Sequence, residues 1–256
     1  MPVEFPMILV AKKEFLESFQ EGNMYMCNSL KYQYLESEDT QRGDKYDSAI
    51  KCGFDGFDIP EYIKKKINNP RLMFSPMYIK CFFHYGLNDR QIISSSQANY
   101  TIAADSIEEL KSFGEFYALL IYDTTELIKR FISACEENNY NYFYSDVSYV
   151  NDEEYLKYEE ELRNTIVCGI IPEKMTNPAF LKRIKYKPQQ EFRFVIMSNG
   201  EEYDEYTKEK ALSFKMQDIK DISIIVELKQ LTDYPLVFDM NKGGFLLDPL
   251  ILGDYL

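Results

Sequence analysis

The sequence predicts an α+β fold: a single domain spanning residues 1–256, in which a central mixed or antiparallel sheet is flanked by a few helices. Apolar segments with strand-like alternation recur along the whole chain, whereas few segments show the 3.6-residue period of a helix. No internal repeat and no linker rich in Gly, Ser or Pro divides the 256 residues. We therefore expect one continuous core.

The sheet is expected to contain five strands, because each of these segments is short, apolar or alternating, and bounded by turn residues. They are residues 77–85, 116–122, 142–150, 191–197 and 222–228. Shorter candidate strands are residues 5–10, 24–28, 235–240 and 245–247.

Helices are predicted where apolar residues recur at helical spacing between a start signal and a stop signal. Residues 12–21 end at Gly22, and residues 30–37 form a second candidate. Ser106 and Glu109 have the spacing of a capping box that opens a short helix, which Gly114 closes. Thr124 or Thr125 is expected to cap a longer helix ending near residue 137. Residues 38–57, rich in Gly and Asp, are expected to form a long loop.

Composition restricts the possible partners. The net charge of −13 and the pI of about 4.7 argue against direct binding to duplex nucleic acid and against an anionic membrane surface. They are compatible with a basic protein partner, with mimicry of nucleic acid, or with simple solubility. The five cysteines form no CxxC pair, and no uninterrupted apolar run reaches about 20 residues. We therefore expect a cytoplasmic protein with reduced thiols, no metal and no membrane span.

The most informative segment is residues 185–196, where a basic stretch broken by Pro188 leads into strict alternation. On a strand, Gln189, Glu191 and Arg193 would share one face, opposite an apolar face. Glu191 could accept hydrogen bonds from a sugar, and Arg193 could hold a phosphate or carboxylate in two-point fashion. The alternative is a structural Glu–Arg pair on the surface of the sheet. Nearby lysines and arginines make either an anion site or a solvated run of charges; they are Lys182, Arg183, Lys185 and Lys187.

Several familiar reaction signatures are missing from the sequence. It contains no GxxxxGK[ST], GxGxxG, GxSxG or HExxH pattern. His84 is the single histidine, so no histidine-rich metal site is possible. At the end of an aromatic strand, His84 is expected to be a hydrogen-bonded structural residue.

Taken together, several segments resemble a broad family of bacterial and phage cytoplasmic proteins that has no established activity. The matching segments are residues 22–26, 42–44, 113–114, 147–149 and 186–194. The segment 189–191 is also weakly similar to the Gln-x-Glu pattern of ADP-ribosyltransferases. In that family the Glu holds the nicotinamide ribose and helps to form the oxocarbenium-like centre. The corresponding Ser-Thr-Ser strand of the family has no clean counterpart here.

Two functional hypotheses follow. The first is binding to a protein partner in phage–bacterium conflict, in defence or anti-defence, without turnover and without a cofactor. Its contact surfaces would be the acidic residues 201–205 and the acidic segment 151–161, which is either a solvated helix or a mobile segment. The partner-binding candidates in the latter are Asp152, Glu153, Glu154, Glu159, Glu160 and Glu161.

The second hypothesis is a transferase that handles NAD or another nucleotide. Glu191 would stabilise the developing sugar cation, and Gln189 would orient the acceptor or the ribose. Arg193 or Lys187 would hold a phosphate. Tyr25 would stack on a flat ring, although most of the 21 tyrosines are expected in the core. NAD is the cofactor or substrate only under this hypothesis.

Overall fold

The computed structural model describes residues 5–29, 77–168, 178–197, 211–239 and 244–246. The predicted helix 30–37, the predicted loop 38–57 and the acidic residues 201–205 lie outside these ranges. Within them the chain is an α+β protein with a large antiparallel sheet and several helices, as the sequence predicts.

The main sheet contains eight strands in the described part of the chain, and each of its ladders is antiparallel. These strands are β1 (Met7–Val10), β2 (Asn23–Asn28), β3 (Met77–His84), β6 (Tyr117–Ile121), β7 (Asn141–Asp146), β10 (Glu191–Met197), β11 (Ala211–Lys215) and β12 (Ser223–Glu227). All five strands predicted for the sheet contribute to it, which confirms the predicted architecture.

Two smaller sheets accompany the main one. Four strands pair in the order β14-β13-β5-β4, and two short strands pair in parallel. The first set is β4 (Arg90–Ser94), β5 (Gln97–Tyr100), β13 (Leu236–Asp239) and β14 (Gly244–Leu246); the parallel pair is β8 (Ser148–Val150) and β9 (Leu181–Arg183). Strands β4, β5, β9 and β11 were not predicted, because each is short or largely polar and lacks an apolar face of useful length.

Five α-helices occur in the described residues: α1 (Lys13–Gln20), α2 (Ala104–Ser112), α3 (Thr124–Glu137), α4 (Asp152–Cys168) and α5 (Leu228–Asp233). The predicted helices at residues 12–21 and 125–137 are confirmed as α1 and α3. The acidic segment is helical, since it forms the start of α4.

The predicted helix caps are wrong at two positions. Helix α2 begins at Ala104, so Ser106 lies inside the first turn, where its hydroxyl donates to the side-chain carbonyl of Gln190 and does not act as a cap that accepts from a backbone amide. Helix α3 is capped by Asp123, whose carboxylate accepts from the amide of Glu126 at 2.9 Å. Aspartate caps a helix as well as threonine does, so the sequence alone could not choose between adjacent candidates.

The predicted strand 142–150 is in fact two strands. Residues Asn141–Asp146 extend the main sheet beside β10, whereas Ser148–Val150 pair with Leu181–Arg183 in a separate sheet. Val147 lies buried between them, and its amide donates to the carbonyl of Glu191. Alternation continues through the break, so the pattern could not reveal it.

Gly22 ends α1 and allows β2 to approach the segment after β11. Its φ is +87°, and a Cβ atom placed there would lie 2.2 Å from the carbonyl oxygen of Met216. Both the backbone conformation and the close approach therefore require glycine. This contact positions β2, which forms one side of the site described below.

The main sheet forks at β3. One edge of β3 pairs along its whole length with β10. On the other edge, β2 pairs with β3 at Tyr78 and Ile79, whereas β1 pairs with it at Phe83 and His84. Three residues of β3 separate the two ladders, so β1 and β2 diverge from this point and leave a wedge between them.

The two faces of the sheet differ in character. Helices α1 and α3 cover one face with a continuous apolar cluster, in which Phe131 of α3 stacks on Phe194 at 4.0 Å between ring centroids. The other face carries Ile79, Phe83, Glu191 and Arg193 and lies towards α2.

Candidate functional site

A cavity of about 280 Å³ lies on the second face, where the sheet forks. We call it the fork cavity. Its apolar walls include Ile8, Val10, Ile79, Phe83 and Phe113. Its polar wall contains Glu109, Lys182, Gln189, Glu191 and Arg193. An apolar cleft with a few convergent polar groups is the usual form of a small-molecule site.

Glu191 lies at the centre of the polar wall and binds two cations. Its Oε1 atom accepts from the Lys182 ammonium at 2.7 Å, and its Oε2 atom accepts from the Arg193 guanidinium at 2.6 Å. Arg193 also donates to the carbonyl of Ala179 at 2.7 Å. Only 5% of the Lys182 side chain and 1% of the Arg193 side chain are exposed. Because both cations are buried, the Glu191 carboxylate compensates charge that water cannot solvate fully.

Two consecutive residues, Gln189 and Gln190, connect this wall to different parts of the fold. Gln189 accepts from Lys182 and donates to Glu109 at 2.8 Å. Gln190 donates to Asp89 and accepts from Ser106 of α2. Gln190 adopts the left-handed conformation, with φ of +41°, which turns it away from its neighbours. The segment therefore holds α2 against the end of β10.

The predicted position of Gln189 on the strand is wrong. Residues Ile184–Gln189 form a 3-10 helix, and β10 begins at Glu191. Glu191 and Arg193 do share a face of β10, as alternation predicts. Gln189 reaches the same cavity because the left-handed turn at Gln190 redirects the chain. Strand alternation along the sequence cannot indicate such a turn.

Tyr149 supports Glu191 from the backbone side. The amide of Glu191 donates to the Tyr149 hydroxyl at 2.8 Å. Burial raises the pKa of the Tyr149 phenol well above its ordinary value, and the nearby Glu191 carboxylate raises it further. The phenol is therefore neutral at physiological pH and acts as a hydrogen-bonding support.

Glu109 differs from Glu191 in having no cationic partner in the described part of the chain. Its carboxylate accepts one hydrogen bond, from the neutral amide of Gln189. Glu109 lies on α2, is half-buried and lines the cavity. Of the carboxylates that the described residues place in the fork cavity, one is therefore neutralised and the other has no counter-ion among those residues.

The remaining predicted site residues are placed as follows. Tyr25 on β2 lines the fork cavity and is 50% exposed, so its ring is accessible to a ligand. Lys187 is exposed on the 3-10 helix and is not part of the cavity wall. Five of the acidic candidates on α4 are described, and all of them are exposed: Asp152, Glu153, Glu154, Glu160 and Glu161. Glu159 lies on the same helix, but its side chain is outside the described part of the structure.

Sequence reasoning missed Glu109 and Tyr149, and it read Lys182 as part of a basic run. These residues come from three distant segments, and each is of a residue type that occurs many times in this chain. Lys182 could have been distinguished by its position two residues after the aromatic Phe180, in an otherwise buried segment. The sequence distinguishes Glu109 from its exposed neighbour Glu108 only as a capping-box residue, and no signal marks it as a residue of the site.

His84 lies on the opposite face of the sheet from the fork cavity. Its Nδ1 atom is 2.5 Å from the Asp146 carboxylate, and its ring packs edge-on against Phe5 and Phe192. This is the hydrogen-bonded structural role that the sequence predicts.

The described residues contain neither a metal-binding cluster nor a membrane-spanning helix. No cluster of three or more His, Cys, Asp or Glu residues has the arrangement of a metal site in these ranges. No helix in the same ranges combines the length and the apolar character needed to span a bilayer.

Comparisons with known proteins do not add a family. No protein-family model matches the chain. No curated protein and no solved structure shows significant similarity to it.

Proposed function

We propose that this chain acts by binding, without turnover, and that one of its ligands is a small organic molecule held in the fork cavity. The observation that supports this most directly is the cavity itself, in which apolar walls face a buried and fixed polar wall. Its volume of about 280 Å³ is near the lower end of the ~300–1,000 Å³ typical of ligand sites. The expected ligand is thus one or two rings in size, up to that of a nucleoside.

The charge balance of the polar wall favours binding over catalysis. A carboxylate that stabilises a sugar cation must offer negative charge to the substrate. The charge of Glu191 is already compensated by Lys182 and Arg193, each within hydrogen-bonding distance. The buried Arg193 is likewise held by Glu191 and Ala179, which favours a structural role over phosphate binding.

Ligand binding can be tested by ligand-observed NMR with a library of one-ring and nucleoside-sized compounds. Cys27 and Cys81 line the cavity and are half-buried, so a bound compound should slow their alkylation. Mass spectrometry of the alkylated peptides would report this protection. Cys135, which is fully buried in the other face of the sheet, is the internal reference.

A filled cavity provides the matched variant. Cys27→Phe adds a ring where the cavity lies and should abolish both binding and protection of Cys81. Phe15→Ser removes an exposed apolar residue on α1, 61% exposed, and should leave both unchanged. The proposal would be refuted if the compounds bind Cys27→Phe and the natural chain with equal affinity. It would also be refuted if no compound binds the natural chain.

A protein partner is a second candidate, favoured by the exposure of the acidic residues on α4. These side chains lie next to Leu156, an apolar residue that is 64% exposed. An acidic surface accelerates association with a basic partner and makes it sensitive to salt. A role in phage–bacterium conflict is proposed on the resemblance described above.

This candidate is tested by affinity purification from the host at a series of salt concentrations. Neutralising acids on α4 should weaken capture of the partner and flatten its salt dependence, whereas the same charge change elsewhere should not. The test set is Glu153, Glu160 and Glu161→Gln, and the control set is Glu14, Glu136 and Glu137→Gln, all exposed. Equal capture by both variants across the salt series would exclude α4 as the contact surface.

The transferase hypothesis is favoured by one observation: Gln189, Glu191, Arg193 and Tyr25 all line the same cavity. A thermal shift on addition of NAD, together with release of nicotinamide measured by mass spectrometry, tests it directly. If the natural chain shows neither a thermal shift with NAD nor turnover, binding remains the function.

A further inference from the structure

Resting on the proposed ligand site, we infer that the fork cavity selects an organic amine: a compound with a small apolar body whose ammonium group pairs with Glu109. The cavity lining combines one carboxylate that has no ion-pair partner within the described residues with apolar and aromatic side chains.

The positive groups of the wall are directed towards protein acceptors. The Lys182 ammonium donates to both Gln189 and Glu191. The Arg193 guanidinium donates to Glu191 and to the carbonyl of Ala179. An anionic ligand would have to compete with a carboxylate that is already in place, which makes the wall a poor anion site.

The other lysine of the lining, Lys80, lies differently. Its ammonium is 5.0 Å from the ring centroid of Phe19, on the face of the sheet that α1 covers. It is therefore directed away from Glu109, which lies on α2 above the opposite face.

Glu109 is suited to receive a cation. One hydrogen bond, from Gln189 at 2.8 Å, fixes its carboxylate without neutralising it. The half-exposed ring of Tyr25 and the ring of Phe113, which also lines the cavity, add aromatic surface, which attracts ammonium groups through its negative faces. The net charge of −13 favours a cationic ligand over an anionic one at longer range as well.

The inference is tested with three probes that share one benzene ring and differ in charge: 2-phenylethylamine, 2-phenylethanol and 3-phenylpropionate. Dissociation constants are measured by ligand-observed NMR on the full chain. The amine should bind about 10-fold more tightly than the alcohol, as expected for one charge-assisted hydrogen bond. The carboxylate should bind more weakly than the alcohol.

Two single substitutions on α2 make the test specific. Glu109→Gln keeps the shape and can still accept from Gln189, so the fold should be retained; the amine should then bind no better than the alcohol. Glu108→Gln changes the same charge on the exposed neighbouring residue and should preserve the preference for the amine. Melting temperatures of both variants confirm that the fold is intact.

The outcomes separate this inference from the proposed function. Binding of the alcohol and the amine with equal affinity would overturn the selection for amines but leave the ligand site standing. An amine preference that survives Glu109→Gln would overturn the role of Glu109. If neither the amine nor the alcohol binds while other compounds of the library do, this inference fails and the ligand site stands; if no compound binds, both fail.

Discussion

The two faces of strand β10 are held in place by different physical effects. On the face towards α3, Phe192, Phe194 and Ile196 pack into an apolar cluster, and Phe194 stacks on Phe131. On the other face, Glu191 and Arg193 take part in a network of charges with Lys182. Dispersion and burial stabilise the first face, and their contribution depends mainly on side-chain volume. The stability of the second face depends on which donor is paired with which acceptor.

This difference explains why the cavity lies where it does. Apolar side chains adjust and fill the space available to them, so the face towards α3 is densely packed. A charged and polar network fixes its members at hydrogen-bonding distances, and Gln189 and Gln190 hold α2 against the end of β10 through Glu109 and Ser106, so these side chains cannot move to fill the space beside them. The fork between β1 and β2 adds further space on this side.

The largest expected effect is on the charged face. Glu191→Gln preserves shape but removes the carboxylate that the buried Lys182 and Arg193 share, so the free energy of unfolding should fall by about 3–5 kcal/mol. Chemical denaturation measures this loss. Lys182→Met and Arg193→Met added to Glu191→Leu should restore much of the stability, because an apolar cluster can replace a buried charge network. A loss below about 1 kcal/mol in Glu191→Gln would show that water reaches the cations. The same loss complicates any assay that uses this variant to test catalysis.

The apolar face contains one charge whose removal should be stabilising. Burial lowers the pKa of Lys80 to about 8 from its ordinary 10.5. Below pH 8 Lys80 is charged in both the folded and the unfolded chain, so folding bears the full free-energy cost of burying its charge. Between pH 8 and 10.5 the folded chain has lost the proton that the unfolded chain retains, so the cost falls as the pH rises. Lys80→Met should therefore raise the free energy of unfolding by about 1–3 kcal/mol at pH 7 and by less at pH 10.

The matched control for this prediction is Lys13→Met. Lys13 also lies over an aromatic ring, that of Tyr117, but its side chain is 43% exposed. Its replacement should change stability by no more than about 0.5 kcal/mol at either pH. A stabilisation in Lys80→Met that does not vary between pH 7 and pH 10 would contradict the predicted titration.

A smaller effect is expected at the backbone support of the charged face. Tyr149→Phe removes the hydroxyl that accepts from the amide of Glu191, so stability should fall by about 1–2 kcal/mol. Thermal and chemical unfolding measure the change, and Tyr144→Phe, at a 41% exposed position, provides the control. Equal effects of the two substitutions would mean that water replaces the Tyr149 hydroxyl.

The smallest effect is expected on the apolar face. Phe194→Leu keeps the residue apolar and close in volume, so the loss should be about 1.5 kcal/mol or less. Denaturation measured beside Glu191→Gln gives the comparison directly: the isosteric change on the charged face should cost more than the change of side-chain shape on the apolar face. A larger loss of stability in Phe194→Leu than in Glu191→Gln would indicate that stacking on Phe131 contributes more to stability than the charge network does.

The sequence by itself determined the elements whose residues show a regular period. The five main strands, the helices α1 and α3, and the shared face of Glu191 and Arg193 follow from alternation or helical spacing, because burial selects one face of each element. The turn at Gly22 follows as well, since glycine marks a backbone conformation that other residues avoid.

The tertiary structure decided which residues form the site. The break of residues 142–150 into two strands, the left-handed turn at Gln190 and the fork at β3 leave no periodic signal in the chain. The contacts of Lys182, Glu109 and Tyr149 with residues 189–191 join distant segments, and the sequence does not encode which carboxylate meets which cation. Two charges pair strongly when they lie close together and are shielded from water. Only the packed fold provides both the proximity and the shielding.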